Sequence, residues 1–205
     1  MDNQKTFQPI FKTERELNTV IINNVILMLS RRLYITKSND KNPILDYDDT
    51  VKKVTDNGSN TYTFKASSGD DYAVKIIYQP ILTTGKTSII NEFISGYEDH
   101  KKIIVTKEYN NKTAEFVTRQ GSQIFKEEFF LSDIIKAKFQ PTFELLSPKE
   151  VEEIKIEYNI SPYTTSNLIR ADAITKYFGL KKGDFIKVID GSPTSGFSVS
   201  YRVVA

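Results

Sequence analysis

Apolar side chains recur at helical spacing near the start of the chain. Between Glu14 and about Tyr34 they lie three or four positions apart, which places them on one face of a predicted helix. These positions are Leu17, Val20, Ile21, Val25, Met28 and Leu29. Further along, TYTFKA (61–66) and YAVKIIY (72–78) alternate between polar and apolar residues and have turn residues between them. This alternation predicts two antiparallel strands.

The pattern continues with alternating helices and strands up to about residue 140. A polar linker separates the first helix from the first strands, and residues 86–99 then predict a second helix. Residues 103–106 predict a strand, 112–119 a short helix and 124–131 a further strand. This order predicts an α/β N-terminal domain over residues 1–140.

A second domain is predicted after Pro141, because proline interrupts regular structure and new helix signals follow it. Ser147, Pro148 and Glu150 have the pattern of a capping box with a proline in the first turn, so a helix is expected to begin there. We therefore place a small α+β C-terminal domain at residues 141–205.

The end of the chain predicts one short helix and a pair of strands. Asp172 is suited to begin the helix, and Gly179 is suited to end it in the left-handed conformation. A Lys-Lys-Gly turn then leads into an apolar strand at 184–189. In the last strand, Phe197–Val204, apolar and polar residues alternate, which predicts one apolar face. The apolar residues are Phe197, Val199, Tyr201 and Val203.

Composition narrows the chemistry that the chain can carry. Of its 205 residues 26% are charged and 39% hydrophobic, and the net charge is only +2. The chain has no cysteine and a single histidine, His100, which excludes Cys-ligated zinc and makes Ser/His/Asp catalysis difficult to build. The N-terminus lacks a signal-peptide pattern, and the longest apolar stretch, Val20–Leu29, is too short to cross a bilayer. We expect a soluble protein of a reducing compartment, with no cofactor, metal, membrane partner or small-molecule substrate.

The segment TTGKTS (83–88) ends like a phosphate-binding P-loop. That motif also needs a glycine five residues before Gly85, where this chain has Pro80. Proline offers no amide and cannot adopt the required backbone angles. We interpret the segment as a turn and N-cap before the helix at 86–99, and we do not expect an ATPase.

A metal-dependent nuclease is the enzyme alternative. Asp70 and Asp71 precede the strand that contains Lys75, and two carboxylates with a nearby lysine could hold Mg²⁺ and a phosphate. The same Asp-Asp pair is also typical of a solvated turn. Basic pairs at 30–32 and 100–102 are interpreted as helix-end cations that favour the helix dipole. A stand-alone nuclease or DNA-binding module therefore stays open as the alternative.

The aromatic residues of the C-terminal domain favour a protein partner. Five of them could all lie in its core, but a domain of about 60 residues has a small interior, so some could instead face a partner. They are Tyr177, Phe178, Phe185, Phe197 and Tyr201. Residues 143–205 carry eight Lys/Arg and eight Asp/Glu, and a neutral aromatic surface suits a protein better than nucleic acid. The residues by themselves indicate a two-domain, non-enzymatic interaction protein.

The sequence KYFGLKKGDFIKVI (176–189), followed by SGFSVSYRVV (195–204), resembles the C-terminal assembly domain of the fifth subunit shared by eukaryotic RNA polymerases I, II and III. The domain is also similar to its counterpart in archaeal RNA polymerases. The match extends without gaps back to Leu146. The family motif falls on Lys176, Tyr177, Phe178, Gly179, Leu180, Lys181, Lys182, Gly183, Lys187, Val188, Ile189, Gly196, Tyr201 and Arg202.

The resemblance implies a structural subunit and not an enzyme. It implies that residues 141–205 dock on the largest polymerase subunit and that residues 1–140 form part of a jaw beside the downstream DNA. Catalysis with Mg²⁺ would belong to the large subunits. The candidate partner-binding residues are Tyr177, Phe178, Gly179, Lys181, Lys182, Gly183, Gly196, Tyr201 and Arg202. The lysines of the turn would then border an interface and not hold a phosphate.

The chain departs from the family pattern at several places. Where the family pattern has Leu-Pro-Arg-Ile, this chain has Thr165–Leu168, and where it has a proline after the aspartate, this chain has Ala173. The family's Arg and Pro after the strand are replaced by Asp190-Gly191, and its Arg-Tyr after the loop is replaced by Phe197-Ser198. A histidine between the two domains is replaced by Ala137. Such divergence with the overall plan kept resembles a subunit encoded by a large cytoplasmic DNA virus. The expected location is then the host cytoplasm and the virion, or the nucleus if the protein is cellular.

Overall fold

The computed structural model describes residues 13–35, 41–82, 85, 88–136, 140–159, 165–169, 172–192 and 196–205. Its helices are α1 (Glu14–Arg31), α2 (Tyr47–Lys52), α3 (Ile89–Gly96), α4 (Asn111–Arg119), α5 (Pro148–Tyr158) and α6 (Ala173–Phe178). Its strands are β1 (Leu33–Ile35), β2 (Lys41–Pro43), β3 (Thr55–Asp56), β4 (Thr61–Lys65), β5 (Asp71–Ile77), β6 (Lys101–Thr106), β7 (Gln123–Lys126), β8 (Thr142–Leu145), β9 (Ser166–Leu168), β10 (Phe185–Ser192) and β11 (Gly196–Val204). Short 3-10 helices occupy Glu127–Phe130 and Ile134–Lys136.

The strands β3 to β7 form a five-stranded sheet in chain order. The pair β4–β5 is antiparallel, as the alternating pattern predicts, whereas β5–β6 and β6–β7 are parallel. Parallel neighbours need a crossover connection, which α3 and α4 provide. Successive side chains of β6 point to opposite faces: Ile104 packs with α3 and α4, and Val105 packs with α1. The sheet therefore lies between two helical layers.

The predicted apolar stripe of α1 faces the sheet. Ile21, Val25 and Met28 are fully buried on that face. The helix begins at a capping box, in which the Thr13 hydroxyl accepts from the Glu16 amide and the Glu16 carboxylate accepts from the Thr13 amide. Its burial thus follows directly from the helical spacing of the apolar residues.

The last four strands form a second sheet in the order β8–β10–β11–β9. The β10–β11 pair is an antiparallel hairpin, β8 joins it antiparallel, and β9 joins it parallel. Helix α5 covers one face through Ile154, which packs with Phe185 and Val203. Helix α6 covers the other face through Ile174, which packs with Ile186 and other apolar residues. The described chain is therefore a mixed α and β structure, consistent with the fold class expected from the sequence.

Three predictions in the N-terminal residues need correction. The helix predicted at 86–99 occupies only Ile89–Gly96, and Ser88 caps it; residues 83, 84, 86 and 87 lie outside the described residues. The predicted linker contains β2 and the beginning of α2, whose N-cap is Asp46. The strand predicted through Leu131 ends at Lys126.

The chain leaves the strand direction after Lys126 for a packing reason. Phe129 and Phe130 are consecutive, so an extended chain would direct them to opposite faces. In the 3-10 helix both rings instead pack against Phe125, and their centroids lie 5.1 and 5.2 Å from its centroid.

Ala137, which stands where the family pattern has a histidine, lies outside the described residues.

Candidate partner-binding surface

The Lys-Lys-Gly turn joins α6 to β10. Asp172 caps the start of α6, and Gly179 ends it in the left-handed region with φ 65°. The amides of Gly179 and Leu180 donate to carbonyls of the last helical turn. Within the turn, the Lys181 amide donates to the Asp184 carboxylate at 2.7 Å. The Lys181 amide is therefore already bonded to a carboxylate of the same turn, and the turn connects α6 to β10.

The structure separates the candidate residues into groups at different places. Lys181, Lys182 and Gly183 are exposed at one end of the hairpin, where the Gly183 amide donates to the Val204 carbonyl at 2.9 Å. Gly196 is exposed at the other end, opposite Ser192. Gly179 is exposed at the end of α6. The other candidates lie closer to the core: Phe178, Tyr201 and Arg202 are partly buried, and Tyr177 is only 4% exposed.

The apolar face of β11 is buried at one end and exposed at the other. Val203 packs beneath α5, and the ring of Tyr201 lies 5.9 Å from that of Tyr158 at the end of the helix. Beyond that point Val199 is 52% exposed and Phe197 is 81% exposed. The predicted alternation is therefore present, but α5 is too short to cover the whole face. We call Ile189, which pairs with Val199, together with Val199 and Phe197 the hairpin-tip patch.

One ion pair lies next to the hairpin-tip patch. Lys187 lies opposite Tyr201 in the hairpin, and its ammonium nitrogen is 3.1 Å from a carboxylate oxygen of Glu144. The hydrogen bond to Glu144 raises the pKa of Lys187 above its ordinary value. An apolar patch beside an ion pair whose charges cancel is better suited to contact another protein than the phosphate backbone of a nucleic acid.

Tyr177 faces the N-terminal residues of the same chain. Its ring packs against Phe129, with centroids 6.2 Å apart, and its hydroxyl accepts a hydrogen bond from Arg31 at 2.8 Å. The same guanidinium holds both carboxylate oxygens of Asp133, at 2.6 and 2.7 Å. The hydrogen bond to Asp133 raises the pKa of Arg31, and the same bond lowers the pKa of Asp133.

Arg32 is buried beneath the end of α6. Only 5% of the residue is exposed, and burial lowers its pKa to about 10. Its Nε donates to the Tyr177 carbonyl at 2.7 Å, and Nη2 donates to the Lys176 carbonyl at 2.8 Å. Its Nη1 donates to the side-chain oxygen of Gln123 at 3.0 Å. Arg32 therefore joins α1, β7 and the C-terminal end of α6.

The residues of the nuclease alternative do not converge. Asp70 forms an ion pair with Lys101 at 2.6 Å, and this hydrogen bond lowers its pKa. Asp71 instead lies 3.8 Å from Lys65. Lys75 donates to the Ser59 carbonyl at 2.6 Å and to a threonine hydroxyl. Within the described ranges, no group of three or more His, Asp or Glu side chains could hold a metal ion.

The P-loop-like segment has a capping role in the residues that can be described. The Ser88 hydroxyl accepts from the Asn91 amide at the start of α3, and the Asn91 side chain donates to the Gly85 carbonyl at 2.6 Å.

None of the helices in the described part of the chain is long and apolar enough to span a membrane.

Comparison with known proteins decides the family. A family model for the RNA polymerase Rpb5 C-terminal domain matches residues 132–204. DNA-directed RNA polymerase subunit 5 of Acanthamoeba polyphaga mimivirus is 45% identical over 204 residues, which cover 100% of this chain and 100% of that protein. The chain belongs to the Rpb5 family of RNA polymerase subunits. The resemblance found in the C-terminal motif is thereby confirmed.

Two further Rpb5 relatives match shorter parts. Subunit Rpo5 of Methanocaldococcus jannaschii is 39% identical over 64 residues, which are 31% of this chain and 82% of that protein. Subunit RPABC1 of Caenorhabditis elegans is 26% identical over 80 residues, which are 39% of this chain and 38% of that protein. All these relatives are named as polymerase subunits, which supports a non-catalytic polymerase subunit and not the nuclease alternative.

Sequence reasoning misses the role of the two consecutive arginines in this Rpb5 chain. Local chemistry assigns the pair only a favourable interaction with the dipole of α1. In the structure Arg31 and Arg32 contact residues 102 and 144 to 146 positions away. The partners of these arginines, Tyr177, Gly179 and Asp133, are visible in the sequence. No local pattern indicates that they contact the end of α1.

Proposed function

We propose that this protein is a non-catalytic subunit of a multisubunit, virus-encoded DNA-directed RNA polymerase. The observation that carries the proposal is the end-to-end similarity to the mimivirus subunit 5, at 45% identity over 204 residues. The match of residues 132–204 to the Rpb5 C-terminal domain model adds support. By this proposal the protein assembles with the large subunits, and those subunits carry out the chemistry.

The proposal divides the chain into an N-terminal jaw-like domain, residues 1–140, and a C-terminal assembly domain, residues 141–205. The buried apolar residues of the five-stranded and four-stranded sheets fall into separate clusters, except that Tyr177 of α6 belongs to the cluster of α1 and the five-stranded sheet; this supports the division. The assembly domain docks on the largest subunit, and the jaw-like domain lies beside downstream DNA within the complex. The protein then works in the host cytoplasm and is carried in the virion.

The hairpin-tip patch and the adjoining candidate residues form the proposed docking surface. Phe197 and Val199 are large apolar side chains that β11 holds away from α5. Tyr201 and Gly196 lie on the same strand, as does Arg202, whose side chain is on the opposite face. Burying such a patch against a protein releases water from apolar surface, which is the main source of affinity in a stable subunit interface. Lys181, Lys182 and Gly183 border the opposite end of the hairpin.

Affinity purification of the tagged protein from infected cells tests the subunit assignment. We expect near-stoichiometric recovery of both polymerase large subunits at moderate salt. Recovery of the protein without any large subunit would contradict the assignment. Zero-length crosslinking of the purified complex to a labelled downstream duplex tests the jaw position separately.

A matched pair of variants tests the docking surface. Phe197→Ser with Val199→Ser removes the apolar atoms of the patch, and we expect at least a tenfold loss of recovered large subunit. Leu82→Ser is the control, because Leu82 is also apolar and 61% exposed but lies among the N-terminal residues. Equal recovery of the large subunit by both variants would show that docking uses another surface.

A further inference from the structure

Three hydrogen bonds between the two proposed domains lie at the end of α1. Arg31 and Arg32 lie at the end of α1, and both donate to residues of α6 in the proposed C-terminal domain. Arg31 binds Asp133 through two nearly equal bonds, a geometry that fixes the plane of the guanidinium relative to the carboxylate. The arginine also donates to the Tyr177 hydroxyl, so it connects Asp133, near the end of the proposed N-terminal domain, to α6 of the C-terminal domain.

Arg32 acts on the backbone of α6. The last carbonyls of a helix have no partner within the helix and carry partial negative charge. Arg32 donates to two consecutive carbonyls there, those of Lys176 and Tyr177. Because these carbonyls are fixed by the helix and the guanidinium is planar, the two bonds determine how α6 is oriented relative to α1.

Apolar packing and a close backbone approach accompany these bonds. The Tyr177 ring belongs to the apolar cluster of α1 and the five-stranded sheet, although the residue lies on α6. A Cβ at Gly179 would lie 3.3 Å from the Arg32 guanidinium carbon, so the glycine lets α6 end directly on the arginine. A second link, the ion pair of Lys41 with Glu150 at 2.6 Å, is more exposed and is expected to contribute less.

We propose that Arg31 and Arg32 form a clasp that holds the N-terminal part of the chain in a fixed orientation to the C-terminal part. The clasp consists of Arg31, Arg32, Asp133, Tyr177 and Gly179. What the clasp means for a polymerase rests on the proposed function. If the C-terminal domain docks on the largest subunit, the clasp holds the N-terminal domain at a defined position relative to that subunit. The clasp itself depends only on contacts within this chain.

The test measures the distance between the two parts in the full-length protein. Because the chain has no cysteine, Lys112→Cys on α4 and Glu153→Cys on α5 give one spin-label pair at exposed positions. Pulsed dipolar spectroscopy of this pair is expected to show one narrow distance distribution. Adding Arg31→Gln and Arg32→Gln is expected to broaden it at least twofold. An unchanged width in a variant that keeps its circular dichroism spectrum would overturn the proposal.

Single variants keep the test decisive if the double variant does not fold. Arg31→Gln and Asp133→Asn change a partly exposed pair and leave Arg32 in place, and each is expected to broaden the distribution measurably. Unchanged widths in both, and in Arg32→Gln alone, would then overturn the clasp. Arg119→Gln is the control, because its pair with Glu115 lies within α4 and both side chains are largely exposed.

Recovery of the large subunits separates the clasp from docking. The clasp variants leave the hairpin-tip patch intact, so they are expected to recover the large subunits within twofold of the unmodified protein. If the unmodified protein recovers no large subunit, the proposed function fails while the distance measurement still decides the clasp.

Discussion

The guanidinium carbon of Arg32 lies 3.3 Å from the position that a Cβ on Gly179 would occupy. Gly179 also has φ 65°, a left-handed conformation that costs a residue with a Cβ about 1–2 kcal/mol. Gly179→Ala therefore adds the backbone cost of the left-handed conformation. It also adds a close contact between the new methyl group and Arg32, which is buried and has little room to move away. We expect the free energy of unfolding to fall by about 2–4 kcal/mol, measured by urea denaturation.

Gly121→Ala is the matched control for this prediction. Gly121 has φ 69°, nearly the same as Gly179, but a Cβ there would meet nothing within 4 Å. We expect Gly121→Ala to cost about 1–2 kcal/mol, the backbone part alone. Equal losses for the two variants would show that the approach of Arg32 to Gly179 carries no energetic cost.

Replacing Arg32 tests the hydrogen bonds that its fork makes. Arg32→Met keeps most of the side-chain volume but leaves the Tyr177 carbonyl and the Gln123 side chain without this donor. Buried polar groups that lose their partner cost about 1–3 kcal/mol each, so we expect the free energy of unfolding, measured by thermal or urea denaturation, to fall by about 2–6 kcal/mol.

Arg32→Lys is expected to be at least as destabilising as Arg32→Met. An ammonium group keeps the cost of burying a charge but cannot reach both α6 carbonyls and Gln123 in the geometry of the fork. A lysine variant close to the original stability would mean that charge alone, and not the fork, holds α6.

The Arg31–Asp133 pair predicts a loss of stability in acid. The hydrogen bond from Arg31 lowers the pKa of Asp133 in the folded protein below the unfolded value of about 3.9. The stabilisation is therefore complete above about pH 4 and is lost as the pH falls through the folded pKa. We expect Asp133→Asn to be less stable at about pH 7 and to lose less stability between about pH 5 and about pH 2.

Urea unfolding at a series of pH values measures this effect. Some acid dependence will remain in Asp133→Asn, because the pKa values of Asp70 and Glu150 are also lowered in the folded protein. An acid dependence as steep as that of the unmodified protein would contradict the assignment to Asp133.

The elements that the sequence predicts well are those set by local chemistry. Ser147 and Glu150 form the expected capping box, with bonds of 3.4 and 2.7 Å, and Gly179 adopts the expected left-handed conformation. These features depend on residues three or four positions apart. The stripe of α1 follows from the same short-range periodicity.

The features that sequence misses depend on distant partners. Arg32 follows α1 in a position that looks like an ordinary basic helix end, yet its partners on α6 lie 144 and 145 residues away. Tyr177 is a candidate for contact with another protein on its sequence alone, because its motif is recognisable. Its burial against Phe129 follows from the packing of the two parts, which no local pattern encodes.

The graded burial of β11 gives a prediction that separates stability from docking. Phe197 and Val203 lie on the same face of one strand, but Phe197 is 81% exposed and Val203 is 4% exposed. We expect Phe197→Ser to change the free energy of unfolding by less than about 0.5 kcal/mol. Val203→Ala removes buried methyl groups and is expected to cost about 2 kcal/mol, because it leaves a cavity beneath α5.

Urea unfolding and recovery of the large subunit, measured on both variants, make the comparison. A docking residue should lower recovery without lowering stability, as we expect for Phe197→Ser. A core residue should lower stability first and recovery only near its unfolding midpoint, as we expect for Val203→Ala. If Phe197→Ser were instead strongly destabilising, the exposed ring would have to contribute to the fold itself, and the hairpin-tip patch would lose its main support as a docking surface.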